Sequence, residues 1–223
     1  MTKTLLITGA SSGIGAATAK AAAEAGWNVA MCARSADKLE KLAEEIGDAA
    51  LAIPCDVTSR DEMKSALAKA NDAFGQIDAI FANAGTGVSK AGVENGDPDE
   101  WRQMIDLNIM GVLYAAHEAI PYLKKTKGHF LVTGSKAGRD HFKGSIYSAT
   151  KHFIHGFGEN LAEEMREFGG RATVIAPGMV DTPFFDEPKP GKIQPEDVAN
   201  AVVFAMSQPA TAAVREIYIM PND

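Results

Sequence analysis

Two kinds of segment alternate along this chain. Short, nearly continuous apolar runs are separated by longer Ala-rich or amphipathic stretches such as GAATAKAAAEAG. The apolar runs, each predicted to be a strand, are 4–8, 28–33, 50–55, 79–83, 129–134, 172–176 and 215–220. Continuous apolar strands suit a sheet covered on both faces, and helical connections between neighbouring strands require parallel pairing. The pattern predicts an α/β fold, a doubly wound parallel sheet of about seven strands with helices on both faces.

Two long helices are expected near 99–125 and 146–168. Apolar residues in the second helix recur at helical spacing, which fits either the core or a subunit contact. These residues are Ile154, Phe157, Leu161 and Met165.

The segment 177–195 is the one loop-rich part of the pattern, because its prolines and glycines cannot continue a helix. A new helix is expected at Pro195, since proline suits the first helical turn. No repeat, low-complexity tract or linker interrupts the chain, so residues 1–223 are expected to form a single domain.

The composition bounds the function. The 223 residues are 46% hydrophobic and carry a formal charge of −7, which argues against a nucleic-acid or anionic membrane partner. Cys32 and Cys55 lie in apolar runs without metal-ligand spacing, so we expect buried free thiols and no metal site. The start MTKTLLITG does not have the pattern of a signal peptide, and no apolar run approaches the ~20 residues that span a bilayer. A cytoplasmic protein is expected.

The first predicted strand leads directly into a glycine-rich turn, TGASSGIG, with Gly9, Gly13 and Gly15 between strand and helix. Glycines allow tight dihedral angles and close backbone approach, while a helix N-terminus offers unpaired N–H groups to a phosphate. A plain glycine turn is the alternative, but the position on the first strand of an alternating β/α chain favours dinucleotide binding.

The second predicted strand ends at Ala33, and Arg34 follows it. In dinucleotide-binding folds an acidic residue near this point binds the ribose hydroxyl of NAD, whereas an arginine accommodates the 2′-phosphate of NADP. The sequence therefore favours NADP(H), with NAD(H) possible, over a simple surface arginine.

Tyr147 and Lys151 stand four residues apart and project from one helix face. Ser135 ends the fifth strand and Asn83 the fourth, at the edge of the sheet where open α/β folds bind ligands. A phenol has a pKa of about 10, and a nearby ammonium is expected to lower it towards neutral pH. Tyr147 could then exchange a proton with a carbonyl oxygen that Ser135 holds, while a nicotinamide exchanges hydride.

At this point the sequence resembles the short-chain dehydrogenase/reductase family, in its compact single-domain branch with a Rossmann-like fold. The resemblance covers essentially the whole chain. The motifs that carry it, in order, are TGASSGIG, FANAG, DLNIMG, GS followed by YSATK, and PGMVDTPF.

The resemblance implies roles for particular residues. The implied catalytic residues are Ser135, Tyr147, Lys151 and Asn108, with Asn108 holding a water near Lys151 through its main chain. The implied cofactor-binding residues are Gly9, Ser11, Ser12, Gly13, Ile14, Gly15, Arg34, Asp56, Val57, Asn83, Ala84, Gly85, Tyr147, Lys151, Pro177, Gly178, Val180 and Thr182. Asp56 and Val57 would contact the adenine, and Thr182 with the Val180 backbone would hold the carboxamide.

Three departures from the family pattern matter. Ala82 and Gly134 stand where an asparagine and a serine are common, but neither removes a group that the chemistry needs. The segment 183–194 is shorter than the substrate lid of many relatives, which implies a shallow or open site that Phe184, Phe185 or a partner subunit covers.

Four basic residues precede Tyr147 and are open to two interpretations, attraction of an acidic substrate or a solvated rim. They are Lys136, Arg139, His141 and Lys143. Two histidines follow Lys151, and for both His152 and His155 a packing or interface role is expected rather than a catalytic one.

The leading hypothesis is an NADP(H)-dependent carbonyl reductase or alcohol dehydrogenase that acts on a small molecule. A dinucleotide-binding regulatory protein is the alternative, although such relatives usually lose part of the catalytic set. Sugar-nucleotide epimerases share the Tyr/Lys pair but resemble a longer branch. The resemblance further implies a homodimer or homotetramer.

Overall fold

All seven predicted strands are present in the computed structural model, which describes residues 2–222, and their ends differ from the prediction by at most one residue. The strands are β1 (Thr4–Thr8), β2 (Asn28–Ala33), β3 (Ala50–Pro54), β4 (Ala79–Ala82), β5 (His129–Thr133), β6 (Arg171–Pro177) and β7 (Glu216–Ile219). They form one parallel sheet in the order β3-β2-β1-β4-β5-β6-β7. The direction of winding reverses between β1 and β4, which opens a crevice at their carboxyl ends. The predicted doubly wound, Rossmann-like fold is confirmed.

Helices cover both faces of the sheet. They are α1 (Gly13–Glu24), α2 (Ala36–Ile46), α3 (Arg60–Phe74), α4 (Pro98–Ile105), α5 (Gly111–Thr126), α6 (Ile146–Arg166) and α7 (Pro195–Ser207). Apolar residues of α3, α5 and α6 pack on one face and those of α1, α2 and α7 on the other. Successive strand residues serve opposite faces, as Leu5 and Leu6 do, because side chains alternate along a strand.

The predicted helix near 99–125 contains an irregular turn. Helices α4 and α5 run continuously through a π-helical turn, Asp106–Met110. Such turns widen the backbone by one residue and are frequent at functional sites. This one carries Asn108, which the family resemblance had singled out.

The two alternatives for the apolar face of α6 are now separated. Ile154, Leu161 and Met165 are buried in the core, and Phe157 is partly buried against it. The predicted burial of the free thiols of Cys32 and Cys55 is also confirmed.

After β6 the chain forms the predicted loop, with one isolated bridge between Val180 and Ile193. Helix α7 begins at Pro195, as predicted, and a capping box between Gln194 and Asp197 fixes its start. Within residues 2–222, no helix is both long enough and apolar enough to cross a membrane.

At the opposite edge of the sheet from the crevice, a neutral histidine is buried at the start of β5. His129 is 2% exposed, and its Nε2 lies 2.7 Å from Thr173 Oγ1. Because the Thr173 hydroxyl donates to the carbonyl oxygen of Val214, Nε2 must carry the proton and donate to Thr173. Burial lowers the pKa of His129 to about 3.

Acid should therefore destabilise the fold through His129. Its pKa is lower in the folded state than in the unfolded chain, so stability is lost as the pH falls from about 6.5 towards 3. Between pH 7 and pH 5 we expect a loss of about 2 kcal/mol in the free energy of unfolding. Urea titrations at both pH values measure it. The loss in the free energy of unfolding between the two pH values should be smaller by that amount in His129→Gln and unchanged in the exposed control His117→Gln. Equal pH dependence in both variants and the unsubstituted protein would contradict the assignment of this loss to His129.

Candidate active site

The turn between β1 and α1 is built around glycines. Gly9 and Gly13 have φ angles of +65° and +52°, which side chains rarely adopt. A Cβ on Gly15 would lie 2.3 Å from the Gly9 carbonyl oxygen, so only glycine fits there. The N-cap residue Ser12 makes no side-chain capping hydrogen bond to the first turn of α1. This end of the helix therefore presents backbone N–H groups at the crevice, as an anion site requires.

Asn83 ties three strand ends together beside this turn. Its Nδ2 donates to the carbonyl oxygens of Thr8 (3.2 Å) and Gly9 (3.4 Å), and its Oδ1 accepts from Thr133 Oγ1 (3.0 Å). The hydroxyl oxygen of Thr8 accepts from the backbone N–H groups of Asn83 (3.0 Å) and Ala84 (3.1 Å). The carboxyl ends of β1, β4 and β5 are thus joined by side-chain hydrogen bonds.

Arg34, Asp56 and Val57 lie together at the far end of the crevice, after β2 and β3. Arg34 is exposed, and Val57 is buried. The Asp56 carboxylate accepts from the Thr58 backbone N–H (2.9 Å) and hydroxyl (2.7 Å). The Thr58 N–H bond chiefly lowers the pKa of Asp56, and the charge of Arg34 adds to it. The Arg34 side chain is therefore exposed to solvent, close enough to the Asp56 carboxylate to affect its pKa.

Ser135, Tyr147 and Lys151 meet at the carboxyl end of β5. Ser135 begins a 3-10 turn (Lys136–Gly138), and its Oγ accepts from the Ala137 N–H at 3.0 Å. Ser145 caps α6, which places Tyr147 in the first turn, where the Ser135 side chain is near enough to lower the pKa of the phenol. Lys151 Nζ lies 5.8 Å from the centre of the Tyr147 ring. The serine, the phenol and the ammonium predicted from sequence are neighbours.

The expected effect of Lys151 on Tyr147 is wrong for this state of the site. Burial raises the pKa of Tyr147 above its usual value, and the hydrogen bond with Ser135 lowers it only in part. Lys151 Nζ donates instead to the Thr133 carbonyl oxygen at 2.7 Å, and burial lowers the pKa of Lys151 to about 8. Desolvation, which disfavours both charged forms, dominates the pair. Tyr147 is accordingly protonated at neutral pH.

Asn108 lies beneath the loop that follows β4. It is 2% exposed, and its Nδ2 donates to the Thr86 carbonyl oxygen (2.9 Å) and to Thr150 Oγ1 (3.3 Å). Its Oδ1 accepts from the Thr86 N–H at 2.9 Å. A Cβ on Gly85 would lie 3.2 Å from the same oxygen. The side chain thus holds the Gly85–Thr86 backbone to α6, and the main chain belongs to the π turn.

The loop after β6 reaches over both halves of the site. A Cβ on Gly13 would lie 3.1 Å from Thr182 Cγ2, so the loop rests on the glycine turn. Further along, the Phe184 ring lies 5.7 Å from the Tyr147 ring and 5.2 Å from the Phe185 ring. Phe184 thus stands beside the phenol, where the sequence had suggested a cover.

The remaining predicted cofactor residues surround the same crevice. Ser11 and Ile14 belong to the glycine turn and the start of α1, and Pro177 ends β6. The Gly178 N–H donates to the Ile219 carbonyl oxygen at 2.7 Å, and Val180 is buried. Within the described residues there is no group of three or more His, Cys, Asp or Glu that could hold a metal ion.

The basic residues before Tyr147 are largely neutralised by partners. Lys136 pairs with Asp140 at 2.7 Å, and Arg139 binds Glu216 and stacks on Tyr218 with 4.7 Å to the ring centre. This favours the solvated rim over an acidic-substrate site for Lys136 and Arg139. Lys143 is exposed on the same rim.

Sequence reasoning missed four residues of the site: Thr8, Thr133, Thr150 and His155. Thr8 accepts a hydrogen bond from Asn83, Thr133 from Lys151, and Thr150 from Asn108. Thr8 and Thr133 stand at strand ends, and Thr150 stands between the motif residues Tyr147 and Lys151. A polar residue next to a strand-end motif is the signal that could have found them. His155 stands four residues after Lys151, on the same helix face, but it had been assigned to packing.

The sheet order defines a Rossmann-type protein, with Ser135, Tyr147 and Lys151 grouped at the carboxyl edge of its sheet. A sequence model described as short chain dehydrogenase matches residues 3–192. An uncharacterized oxidoreductase of Staphylococcus aureus (strain MRSA252) is 37% identical over 225 residues, which cover 98% of this chain and 97% of that protein.

Among solved structures, an alcohol dehydrogenase from the archaeon Thermococcus sibiricus, complexed with 5-hydroxy-NADP, has a TM-score of 0.91 and 30% identity, covering 100% of this chain and 97% of that one. A 3-ketoacyl-(acyl-carrier-protein) reductase from Brucella melitensis, complexed with NADH, has a TM-score of 0.88 and 29% identity over 97% of this chain and 96% of that one. The chain belongs to the short chain dehydrogenase family, and it is an oxidoreductase of that family.

The glycine turn makes a prediction for stability. Gly15→Ala should lower the free energy of unfolding by about 1–3 kcal/mol, because the new Cβ overlaps the Gly9 carbonyl oxygen. Gly156→Ala is the matched control, since this glycine is exposed on α6 and a Cβ there would have no neighbouring atom within 4 Å. Because alanine favours the helix, this substitution should raise the free energy of unfolding by up to about 1 kcal/mol. Urea unfolding compares the two variants. Identical midpoints would show that the turn tolerates a side chain.

Proposed function

We propose that the protein is an NADP(H)-dependent oxidoreductase that interconverts a small-molecule carbonyl and its alcohol, with Tyr147 as the acid–base group. One observation carries the proposal. Ser135, the Tyr147 phenol and the Lys151 ammonium lie together at the carboxyl end of β5, beside the crevice of the sheet, with Lys151 Nζ 5.8 Å from the centre of the Tyr147 ring. The proposal treats residues 1–223 as one catalytic domain.

The residues around the crevice fit a dinucleotide. Any Cβ at Gly15 would fill the space against Gly9, and the N-terminus of α1 faces this space without a side-chain cap, which suits a pyrophosphate. Arg34 suits a 2′-phosphate, while Asp56 and Val57 would flank the adenine. Lys151 and Thr182 would bind at the nicotinamide end. When bound, the cofactor supplies or accepts the hydride.

The protein's own groups perform the proton chemistry in this proposal. Ser135 Oγ and the Tyr147 hydroxyl together bind the substrate oxygen, which orients the carbonyl. In reduction, the Tyr147 hydroxyl donates its proton to that oxygen as the alcohol forms. The phenol is protonated at neutral pH, so it is in the form that can donate this proton. Lys151 offers positive charge to the phenolate that remains, and Asn108 supports proton return through a water held by its main chain.

A regulatory dinucleotide-binding protein would not need this proton donor. The full set of Ser135, Tyr147, Lys151 and Asn108 therefore supports an enzyme over a sensor. The exposed ring of Phe184 beside Tyr147 suits a small substrate with apolar surface. We further propose a homodimer or homotetramer.

Tyr147→Phe tests the proton donor. We expect turnover of a carbonyl panel with NADPH to fall at least about 100-fold, because general acid catalysis is lost, while NADPH affinity changes less than about threefold. Loss of NADPH absorbance measures turnover, and a fluorescence titration measures binding. Tyr122→Phe on α5 is the control. Binding of NADPH by the unsubstituted protein without reduction of any carbonyl in a broad panel would favour the regulatory alternative.

Arg34→Gln tests the cofactor preference. Losing the guanidinium should weaken NADPH binding by about tenfold or more, since bonds to charged groups contribute about 1.5–3 kcal/mol, and should leave NADH binding unchanged. Lys41→Gln, an exposed cation on α2, should alter neither. Fluorescence titrations with both cofactors measure the ratio, and an unchanged NADPH/NADH ratio would rule out 2′-phosphate recognition by Arg34.

A further inference from the structure

His155 lies directly behind Ser135. Its Nε2 is 3.1 Å from the Ser135 carbonyl oxygen and 3.5 Å from the Ser135 backbone nitrogen. The side chain is 16% exposed. At 3.1 Å, the shorter contact is a hydrogen bond that a protonated Nε2 donates to the Ser135 carbonyl oxygen. The ring is therefore placed to fix the backbone from which the Ser135 hydroxyl projects.

The turn around Ser135 is shaped to the ring. A Cβ on Gly138 would lie 2.4 Å from His155 Cδ2, and one on Gly134 would lie 2.8 Å from Nε2. A side chain at position 138 would therefore displace the imidazole, while one at position 134 would meet both the imidazole and Val174 Cγ1, which is nearer at 2.6 Å.

The Nδ1 side of the imidazole faces the edge of the sheet. His155 Nδ1 lies 3.4 Å from Glu216 Oε1 at the start of β7, and the same carboxylate accepts from Arg139 Nε at 3.0 Å. Arg139 directly follows the turn that carries Ser135. The turn is thus held from both sides, by His155 beneath it and by Arg139 at its end, and Glu216 joins the two.

We propose that His155 is a positioning residue for Ser135, linked to β7 through Glu216 and held between Gly134 and Gly138. The imidazole fixes the main chain of the serine and thereby the distance from its hydroxyl to Tyr147. It does not touch the substrate or exchange a proton with it. This inference rests on the proposed function for its kinetic consequence, while its structural consequence can be measured without any substrate.

His155→Leu removes the hydrogen bond from Nε2 to the Ser135 carbonyl oxygen at similar volume, and His155→Gln keeps an amide donor for that oxygen. We expect kcat to fall about tenfold or more in the leucine variant, to recover at least threefold in the glutamine variant, and cofactor affinity to stay within twofold in both, because only alignment is lost. His152→Leu is the matched control, because His152 Nδ1 contacts the Ser148 carbonyl oxygen rather than Ser135. This variant should keep full kcat.

A double-mutant cycle separates positioning from general damage. In a Ser135→Ala background, followed at high enzyme concentration, His155→Leu should lower the residual rate less than twofold, because no hydroxyl remains to be positioned. A tenfold loss that persists without the serine hydroxyl would overturn the proposal.

Amide hydrogen exchange tests the structural claim in the absence of substrate. Exchange of residues 134–138 should accelerate at least tenfold in His155→Leu, and should be unchanged in His152→Leu. Unchanged exchange in His155→Leu would overturn the proposal. If no carbonyl substrate is found, so that the proposed function fails, the exchange result still decides whether His155 holds the turn.

Discussion

The site depends on the junction of three strand ends, which Asn83 holds together. Parallel strands bring their carboxyl ends to one edge of the sheet, but each ends in backbone groups that need partners. Asn83 and the hydroxyls of Thr8 and Thr133 supply those partners across β1, β4 and β5. The glycine turn begins on one side of this junction, at the end of β1. On the other side, at the end of β5, the Thr133 carbonyl oxygen accepts a hydrogen bond from the Lys151 ammonium. The cofactor crevice and the proton-transfer groups are thus attached to one hydrogen-bonded unit.

Burial, rather than the nearby cation, sets the electrostatic state of the pair Tyr147 and Lys151. The pKa of the phenol rises and that of the ammonium falls, which means that each group is pushed towards its neutral form. With a pKa of about 8, Lys151 still keeps its proton in about 90% of molecules at pH 7. The site therefore holds a protonated phenol beside a mostly charged ammonium.

Sequence periodicity was enough to predict the seven strands and the direction of the sheet, while several residues of the crevice, such as Asn108 and Thr182, were implied only by the family resemblance. The features predicted without that resemblance follow from local patterns, such as the glycines before α1 or the spacing of Tyr147 and Lys151. The contacts that were not predicted depend on tertiary distances. The pairing of Arg139 with Glu216 joins residues from a turn and the last strand, and nothing near Arg139 in the sequence indicates it. The raised pKa of Tyr147 depends likewise on how much water the neighbouring elements exclude, which the spacing of two residues does not contain.

One face of α6 carries three polar side chains that contact the end of β5 and the turn after it. Tyr147, Lys151 and His155 follow at intervals of four residues, so they project from successive turns of one face towards the end of β5. The first meets the Ser135 side chain, the second the Thr133 carbonyl oxygen, and the third the Ser135 main chain. Because a rigid helix sets the spacing of these three contacts, displacing the turn at Ser135 would alter all of them together. Gly134 leaves space for the third contact, since a Cβ there would lie 2.6 Å from Val174 Cγ1 and 2.8 Å from His155 Nε2.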